Sequence, residues 1–170
     1  VFVIGEEPIH EELAEYGIPV THDSGNAEYV VLSWDRQFTY DKLNSVYQAA
    51  VKGSVIIASN PDATCPLDGG QIPDTGTFIA ALEVATGKSI DLVVGKPSLI
   101  AAEAAVAHLG LDYKDCFMIG DRLETDIKMA NEAGMISVLV LTGVGTAEMA
   151  ERTPYRPRYI IPSIKGIVDL

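Results

Sequence analysis

The 170-residue sequence is poor in the residues that build redox, metal-cage or membrane chemistry. It has two cysteines, Cys65 and Cys116, too few for a disulfide framework. Its three histidines, His10, His22 and His108, have no spacing that would let them share an ion. No apolar run is long enough to span a bilayer. The start, Val1-Phe-Val-Ile-Gly5, has no basic region of the kind that opens a signal peptide. These absences predict a protein of the reducing cytoplasm with no membrane partner. Basic residues are also scarce, with 12 Lys and Arg against 24 Asp and Glu, for a net charge of −12. The deficit is uneven: residues 1–90 carry −9 and residues 91–170 carry −3. Such a field argues against nucleic acid as a partner. An anionic small molecule would need a local cation. Nucleotide-binding glycine motifs and Cys-x-x-Cys pairs are missing as well.

What is present is regular punctuation. With 48% hydrophobic residues, the chain can form one ordinary domain or two small ones. Helical patterns at about 7–16, 40–52, 77–86, 98–109 and 124–133 are each followed by glycine: Gly17, Gly53, Gly87, Gly110 and Gly134. Glycine just past a helix takes the left-handed cap conformation at little cost. Between them lie β-rich runs at 1–4, 29–33, 55–59, 92–95, 116–119 and 137–141, with a shorter candidate at 159–161. Several are apolar without alternation, as in strands buried on both faces. Alternating β and α segments with short links predict a parallel α/β fold. The stretch 60–77 breaks the rhythm with Pro61, Pro66, Gly69, Gly70, Pro73 and Gly76. It reads as a boundary or functional loop, too rich in turn formers for helix or strand.

Two segments carry chemistry. In Met118-Ile-Gly-Asp121-Arg-Leu-Glu-Thr-Asp126, an apolar strand ends on glycine and two acids follow at a spacing of five. Carboxylates beyond the end of a parallel strand suit Mg²⁺, which keeps waters and a phosphate as its other ligands. Capping of the next helix by Asp121 or Thr125 fits the same spacing. In Leu92-Val-Val-Gly95-Lys96-Pro97-Ser98, another strand ends on glycine, and Lys96 precedes a helix start. Lys96 alone reads equally as a phosphate-binding cation or a solvated surface lysine. Both segments are expected on the strand-end rim of one sheet, and this expectation favours the functional reading of each. Asn60 and Asp62 sit in a loop from which they can reach a ligand, although an Asx turn with Pro61 explains them as well. Asp74-Thr-Gly76 resembles half of an aspartic-protease site. That chemistry needs two such segments, and only one is present. Helix capping by Asp74 or Thr75 accounts for it better.

Together these segments resemble the haloacid dehalogenase (HAD) superfamily of phosphohydrolases. Within it they are similar to the branch of NagD and the 4-nitrophenylphosphatases, which includes pyridoxal phosphate phosphatase. The motifs carrying the resemblance run in order along nearly the whole chain. They are 1–6, Ser59-Asn-Pro-Asp62, Pro73-Asp-Thr-Gly76, 81–87, Val94-Gly-Lys-Pro97, Gly120-Asp-Arg-Leu-Glu-Thr-Asp126 and Val140-Leu-Thr-Gly-Val144. The resemblance implies an α/β fold in which part of a Rossmann-like core, with a parallel sheet, is joined to an α/β cap. Residues 1–73 are expected to form the cap and 74–170 the C-terminal half of the core. It also implies Mg²⁺-dependent hydrolysis of a small phosphorylated metabolite through an aspartyl-phosphate. Lys96 would stabilise the phosphate and the nucleophilic carboxylate, Asp121 would ligate the metal, and Asp126 would support or ligate it. In relatives the cap loops that face the substrate correspond to those carrying Trp34 and Asp35, and Asp62 and Cys65. A homodimer through the cap is a further expectation.

The sequence departs from the family at one decisive place. The superfamily nucleophile lies in Asp-x-Asp-Gly, and no Asp-x-Asp occurs in these residues. The expectation is an enzyme whose nucleophilic segment, about a third of its length, is missing from this chain, which alone is inactive. The alternative is a non-catalytic module that keeps the cap and binds a phosphoryl ligand or a partner. A phosphoacceptor receiver domain fits less well, because it does not account for the ordered Gly-Lys-Pro and Gly-Asp-Arg-Leu-Glu-Thr-Asp segments.

Overall fold

The structure, a computed structural model, describes residues 1–169. Leu170, the last residue of the expected second domain, lies outside the described residues. The chain forms two compact units that divide between Gly95 and Lys96.

The first unit holds strands β1 (Phe2–Ile4), β2 (Tyr29–Leu32), β3 (Val55–Ala58), β4 (Thr64–Leu67), β5 (Gly70–Pro73) and β6 (Leu92–Val93). Its helices are α1 (Glu7–Glu15), α2 (Tyr40–Lys52) and α3 (Thr75–Thr86). Four strands make a wholly parallel sheet in the order β1-β2-β3-β6. The unalternating runs Tyr-Val-Val-Leu and Val-Ile-Ile-Ala supply its central strands. Val30, Leu32, Ile56 and Ala58 are buried from the sheet, against Val46 and Ala49 of α2 and Ile79 and Leu82 of α3. Each large side chain so buried contributes roughly 1.5–3 kcal/mol. Helix α2 starts where Thr39 Oγ1 accepts from the Lys42 N–H and stops at Gly53, with φ 99°. Asp74 caps α3, as expected, by accepting from the Thr75 N–H at 2.6 Å.

The stretch 60–77 is not the loop its composition predicts. β4 and β5 form an antiparallel hairpin across it, and α3 begins at Thr75. Asp68 and Gly69 make the two-residue turn, with Gly69 at φ 89°. Pro66 and Pro73 fit because a two-stranded ladder leaves many backbone N–H groups without a sheet partner to lose. The unit boundary accordingly lies after Gly95 and not at the expected 73/74. Helix α3 shares the core of the first sheet, and β6 extends that sheet by pairing Leu92 with Ile57.

The second unit holds helices α4 (Leu99–Leu109), α5 (Lys128–Ala133) and α6 (Ala147–Arg152). Its strands β7 (Phe117–Gly120), β8 (Ile136–Val140) and β9 (Tyr159–Ile161) form a parallel sheet in that order. Ser98 Oγ accepts from the Ile100 N–H and caps α4. A five-residue π turn, Leu123–Ile127, leads into α5. Its Leu123 and Ile127 are buried with Leu139 of β8 and Ala150 of α6. This packing fixes the turn against the ends of β7 and β8, where the acidic residues emerge. Among the described residues no helix is long and apolar enough to cross a membrane.

Candidate functional site

In the second unit Lys96, Asp121 and Asp126 come together. β7 delivers Asp121 immediately beyond its last residue, Gly120. The π turn places Asp126 so that its carboxylate returns over the strand end. Asp126 Oδ2 accepts from the backbone N–H of Asp121 at 3.1 Å and of Arg122 at 3.0 Å. Its Oδ1 takes the Lys96 ammonium at 2.6 Å. Asp126 is 2% exposed and the Lys96 side chain 48%. The carboxylate is therefore a buried brace, while the ammonium keeps an open side. The close approach depends on Gly120: a Cβ there would lie 2.2 Å from Asp126 Cγ.

Asp121 is held from the other side by the loop after β8. Val144 N–H donates to Asp121 Oδ2 at 2.8 Å, and Gly145 N–H donates to the Asp121 carbonyl at 2.7 Å. A Cβ on Gly143 would fall 2.1 Å from Asp121 Oδ2. Gly120, Gly143 and Gly145 are thus site residues that sequence reasoning did not single out. Gly120 and Gly143 were signalled only by membership of the motifs at 120–126 and 140–144, and Gly145 had no signal.

The donor chemistry can be set against Mg²⁺. Among the described residues no three His, Cys, Asp or Glu side chains cluster as a metal cage. Mg²⁺ rarely uses such a cage; one or two carboxylates, waters and a substrate phosphate usually suffice. Asp121 suits this role, with Oδ2 fixed by a backbone N–H and Oδ1 accepting no hydrogen bond among the described residues. Both oxygens of Asp126 are already committed to N–H and ammonium donors.

In the first unit, residues after β1, β2 and β3 gather at the carboxyl end of the sheet. Asp35 is 3% exposed. Its Oδ2 pairs with Lys42 Nζ at 2.5 Å, and its Oδ1 accepts from the Gln37 N–H at 2.8 Å. Trp34 Nε1–H donates to the Pro73 carbonyl at 3.2 Å. Asn60 makes the Asx turn by accepting from the Asp62 N–H at 3.0 Å, and its Nδ2 reaches Thr75 Oγ1 at 3.3 Å. The Asp62 carbonyl accepts from the Gly76 N–H at 2.8 Å, tying this loop to the start of α3. Cys65 is half-buried on β4.

One pair in this group had no sequence signal, because its members lie 30 residues apart. Glu6 Oε1 accepts from Arg36 Nε at 2.6 Å, and Oε2 accepts from Nη2 at 2.7 Å. The Arg36 side chain and backbone hydrogen bonds hold the Glu6 carboxyl down to about 2, and Glu6 in turn raises the Arg36 guanidinium. The Arg36 guanidinium carbon lies 4.9 Å from the Trp34 ring centroid.

Comparison with known proteins finds relatives along nearly the whole chain. A family profile described as HAD-hydrolase-like matches residues 93–167, the span that carries Lys96, Asp121 and Asp126. Sugar-phosphatase AraL of Bacillus subtilis (strain 168) is 40% identical over 170 residues, which is all of this chain and 62% of that protein. A p-nitrophenyl phosphatase from Archaeoglobus fulgidus superposes with a TM-score of 0.91 at 39% identity, covering 99% of this chain and 66% of that one. NagD from E. coli K-12 superposes with a TM-score of 0.87 at 30% identity, covering 98% and 64%. The chain therefore spans less than two thirds of the length of each of these relatives. With a matching profile over the acidic rim and this similarity along nearly all of its residues, the chain belongs to the HAD superfamily, in its NagD and 4-nitrophenylphosphatase branch.

Proposed function

We propose that these residues are the cap and the cation-binding part of a phosphatase that hydrolyses small-molecule phosphate monoesters. The carrying observation is the Lys96–Asp126–Asp121 arrangement, in a chain whose relatives include a sugar phosphatase and a p-nitrophenyl phosphatase. Lys96 presents a positive charge whose outer side is open to a phosphoryl oxygen. Asp126 fixes that charge in direction and holds the 121–122 backbone, so the ammonium need not reorganise during reaction. Asp121 is the residue that would hold Mg²⁺, through Oδ1. Bound there, the ion would neutralise phosphoryl charge and help align the transferring group.

The nucleophile is a carboxylate from outside these 170 residues, since they contain no Asp-x-Asp. It displaces the alcohol from phosphorus to give an aspartyl-phosphate, which water then hydrolyses to free carboxylate and inorganic phosphate. The net −9 of residues 1–90 disfavours polyanionic substrates.

The test is Mg²⁺-dependent hydrolysis of 4-nitrophenyl phosphate by the gene product that contains these residues and by the 170-residue chain alone. Turnover by the first and none by the second is the expected pair of results. Robust turnover by the chain alone would overturn the assignment of the nucleophile. No turnover by either, with phosphate esters still bound, would establish a non-catalytic binding module in its place.

A further inference from the structure

An open groove of about 330 Å³ runs along α6 in the second unit. Ala147, Ala150 and Glu151 of α6 form one wall, and Arg156, Pro157 and Ile160 form the other as the chain returns into β9. The spacing of 147, 150 and 151 puts them on one helix face. The chain turns back between 151 and 156, so Glu151 and Arg156 share the end of the groove nearest the turn. Ala147 and Ile160, farthest from the turn, form the other end, where Ile160 is 44% exposed. The groove thus has a charged end and an apolar end. Its returning wall is held from beneath on both sides of Pro157. Asn131 Nδ2–H donates to the Arg156 carbonyl at 3.0 Å, and the Arg158 N–H donates to Ser137 Oγ at 3.0 Å. Ser137 Oγ–H donates in turn to Asn131 Oδ1 at 2.8 Å, closing a network around a serine that is 2% exposed. A satisfied buried network rigidifies what it touches, so the groove is formed before any ligand arrives.

The charges at the first end are left unused by the fold. Of the neighbouring arginines, Arg152 pairs with Glu148 at 2.8 Å and Arg158 lies over the Tyr159 ring. The Arg156 guanidinium and the Glu151 carboxylate line one groove, yet among the described residues they form no ion pair with each other or with a third group. Opposite charges that share a groove without meeting leave room for a ligand carrying the complementary pair. We propose that this groove binds a free α-amino acid with an apolar side chain. Its carboxylate lies on Arg156, whose planar fork matches two carboxylate oxygens. Its ammonium lies on Glu151, and its side chain covers Ala147, Ala150 and Ile160. A free amino acid carries both charged groups on one carbon, whereas a peptide end offers only one of them. The volume is near the lower end of small-molecule pockets, about 300–1,000 Å³, and so suits a compact ligand. This site goes beyond the phosphatase reading and does not rest on it.

Isothermal titration calorimetry with leucine, on the gene product that contains these residues, tests the proposal. Saturable binding with Kd on the order of 0.1–1 mM is expected. Leucinamide, which lacks the carboxylate, and N-acetyl-leucine, which lacks the ammonium, should each bind about 10-fold more weakly. Arg156→Met should remove the preference for leucine over leucinamide, and Glu151→Gln the preference over N-acetyl-leucine, with circular dichroism showing that each variant is folded. A merely structural loss would weaken all three ligands alike and would overturn the assigned contacts. Ala147→Leu, which fills the apolar end from an exposed helix position, should weaken leucine by about 10-fold as a second, independent variant. No saturable binding of leucine up to about 10 mM would overturn the site. Leucine binding that none of the three variants weakens would place the ligand elsewhere and overturn it equally. N-acetyl-leucine binding as tightly as leucine would overturn the ligand class in favour of a simple carboxylate.

Discussion

Lys96 Nζ lies 2.6 Å from Asp126 Oδ1, and the second oxygen of the same carboxylate accepts the backbone N–H groups of Asp121 and Arg122. One buried acid thus orients the cation and shapes the loop that carries the other acid. Asp126→Asn removes the charge that holds Lys96 and keeps the size of the side chain. We expect kcat of the gene product to fall on the order of 10²-fold. Stability should fall by about 1–3 kcal/mol, below the range for fully buried pairs because Lys96 is 48% exposed. Kinetics and urea unfolding measure the two effects separately.

Gly120 has no room for a side chain, since a Cβ would lie 2.2–2.3 Å from three atoms of Asp126. Gly120→Ala should destabilise by about 1–3 kcal/mol through overpacking. It should also weaken catalysis, because Asp126 is the group displaced. A melting temperature equal to that of the unchanged protein would contradict this close packing.

Asp121 is the acid with an oxygen to spare. Asp121→Asn should keep the Val144 N–H contact through its carbonyl oxygen and lose the negative charge. The Mg²⁺ concentration giving half-maximal activity should rise at least ~10-fold. Titration of activity against Mg²⁺ checks it. An unchanged Mg²⁺ requirement would move the metal to other residues.

Asp35 lies in the loop after β2 and spends both oxygens inside the first unit, on Lys42 and the Gln37 N–H. Asp35→Ala should therefore act mainly on stability, by about 1–3 kcal/mol, since it leaves donors unpaired near a buried position. Thermal unfolding measures this, and a melting temperature equal to that of the unchanged protein would contradict it.

Glu6 gives a pH prediction. Its carboxyl is lowered from 4.5 to about 2 by the Arg36 hydrogen bonds. A lowered folded pKa means that the pair supports the folded state fully above about 4.5, and that this support fades as pH falls toward 2. Carboxyl-detected NMR titration should find Glu6 ionised well below the other glutamates. Arg36→Met should return it toward the ordinary value.

Much of this architecture was legible along the chain. The unalternating apolar runs predicted parallel strands, and Gly53, Gly87, Gly110 and Gly134 mark helix ends with positive φ. Periodicity and caps are local properties, so a linear reading finds them. The hairpin at 64–73 was misread because proline and glycine were weighed by type and not by position. The Asp68-Gly69 pair was its available signal. Lys96, Asp121 and Asp126 were singled out through motif order, since the spacing of the acids alone also fitted a helix cap and a lone lysine also reads as a surface charge.

The sequence by itself determined the α/β class, the acidic balance and the phosphatase-like order of motifs, because each follows from residue type and local spacing. Tertiary structure decided the division of labour among the acids. Asp126 became a brace because folding put three donors around it, and Asp121 kept one oxygen open because the loop after β8 supplies a single N–H to its carboxylate. It also joined Glu6 to Arg36 and Trp34 to Pro73, pairs 30 and 39 residues apart. No local pattern encodes such contacts, because they exist only once segments distant in sequence have folded together.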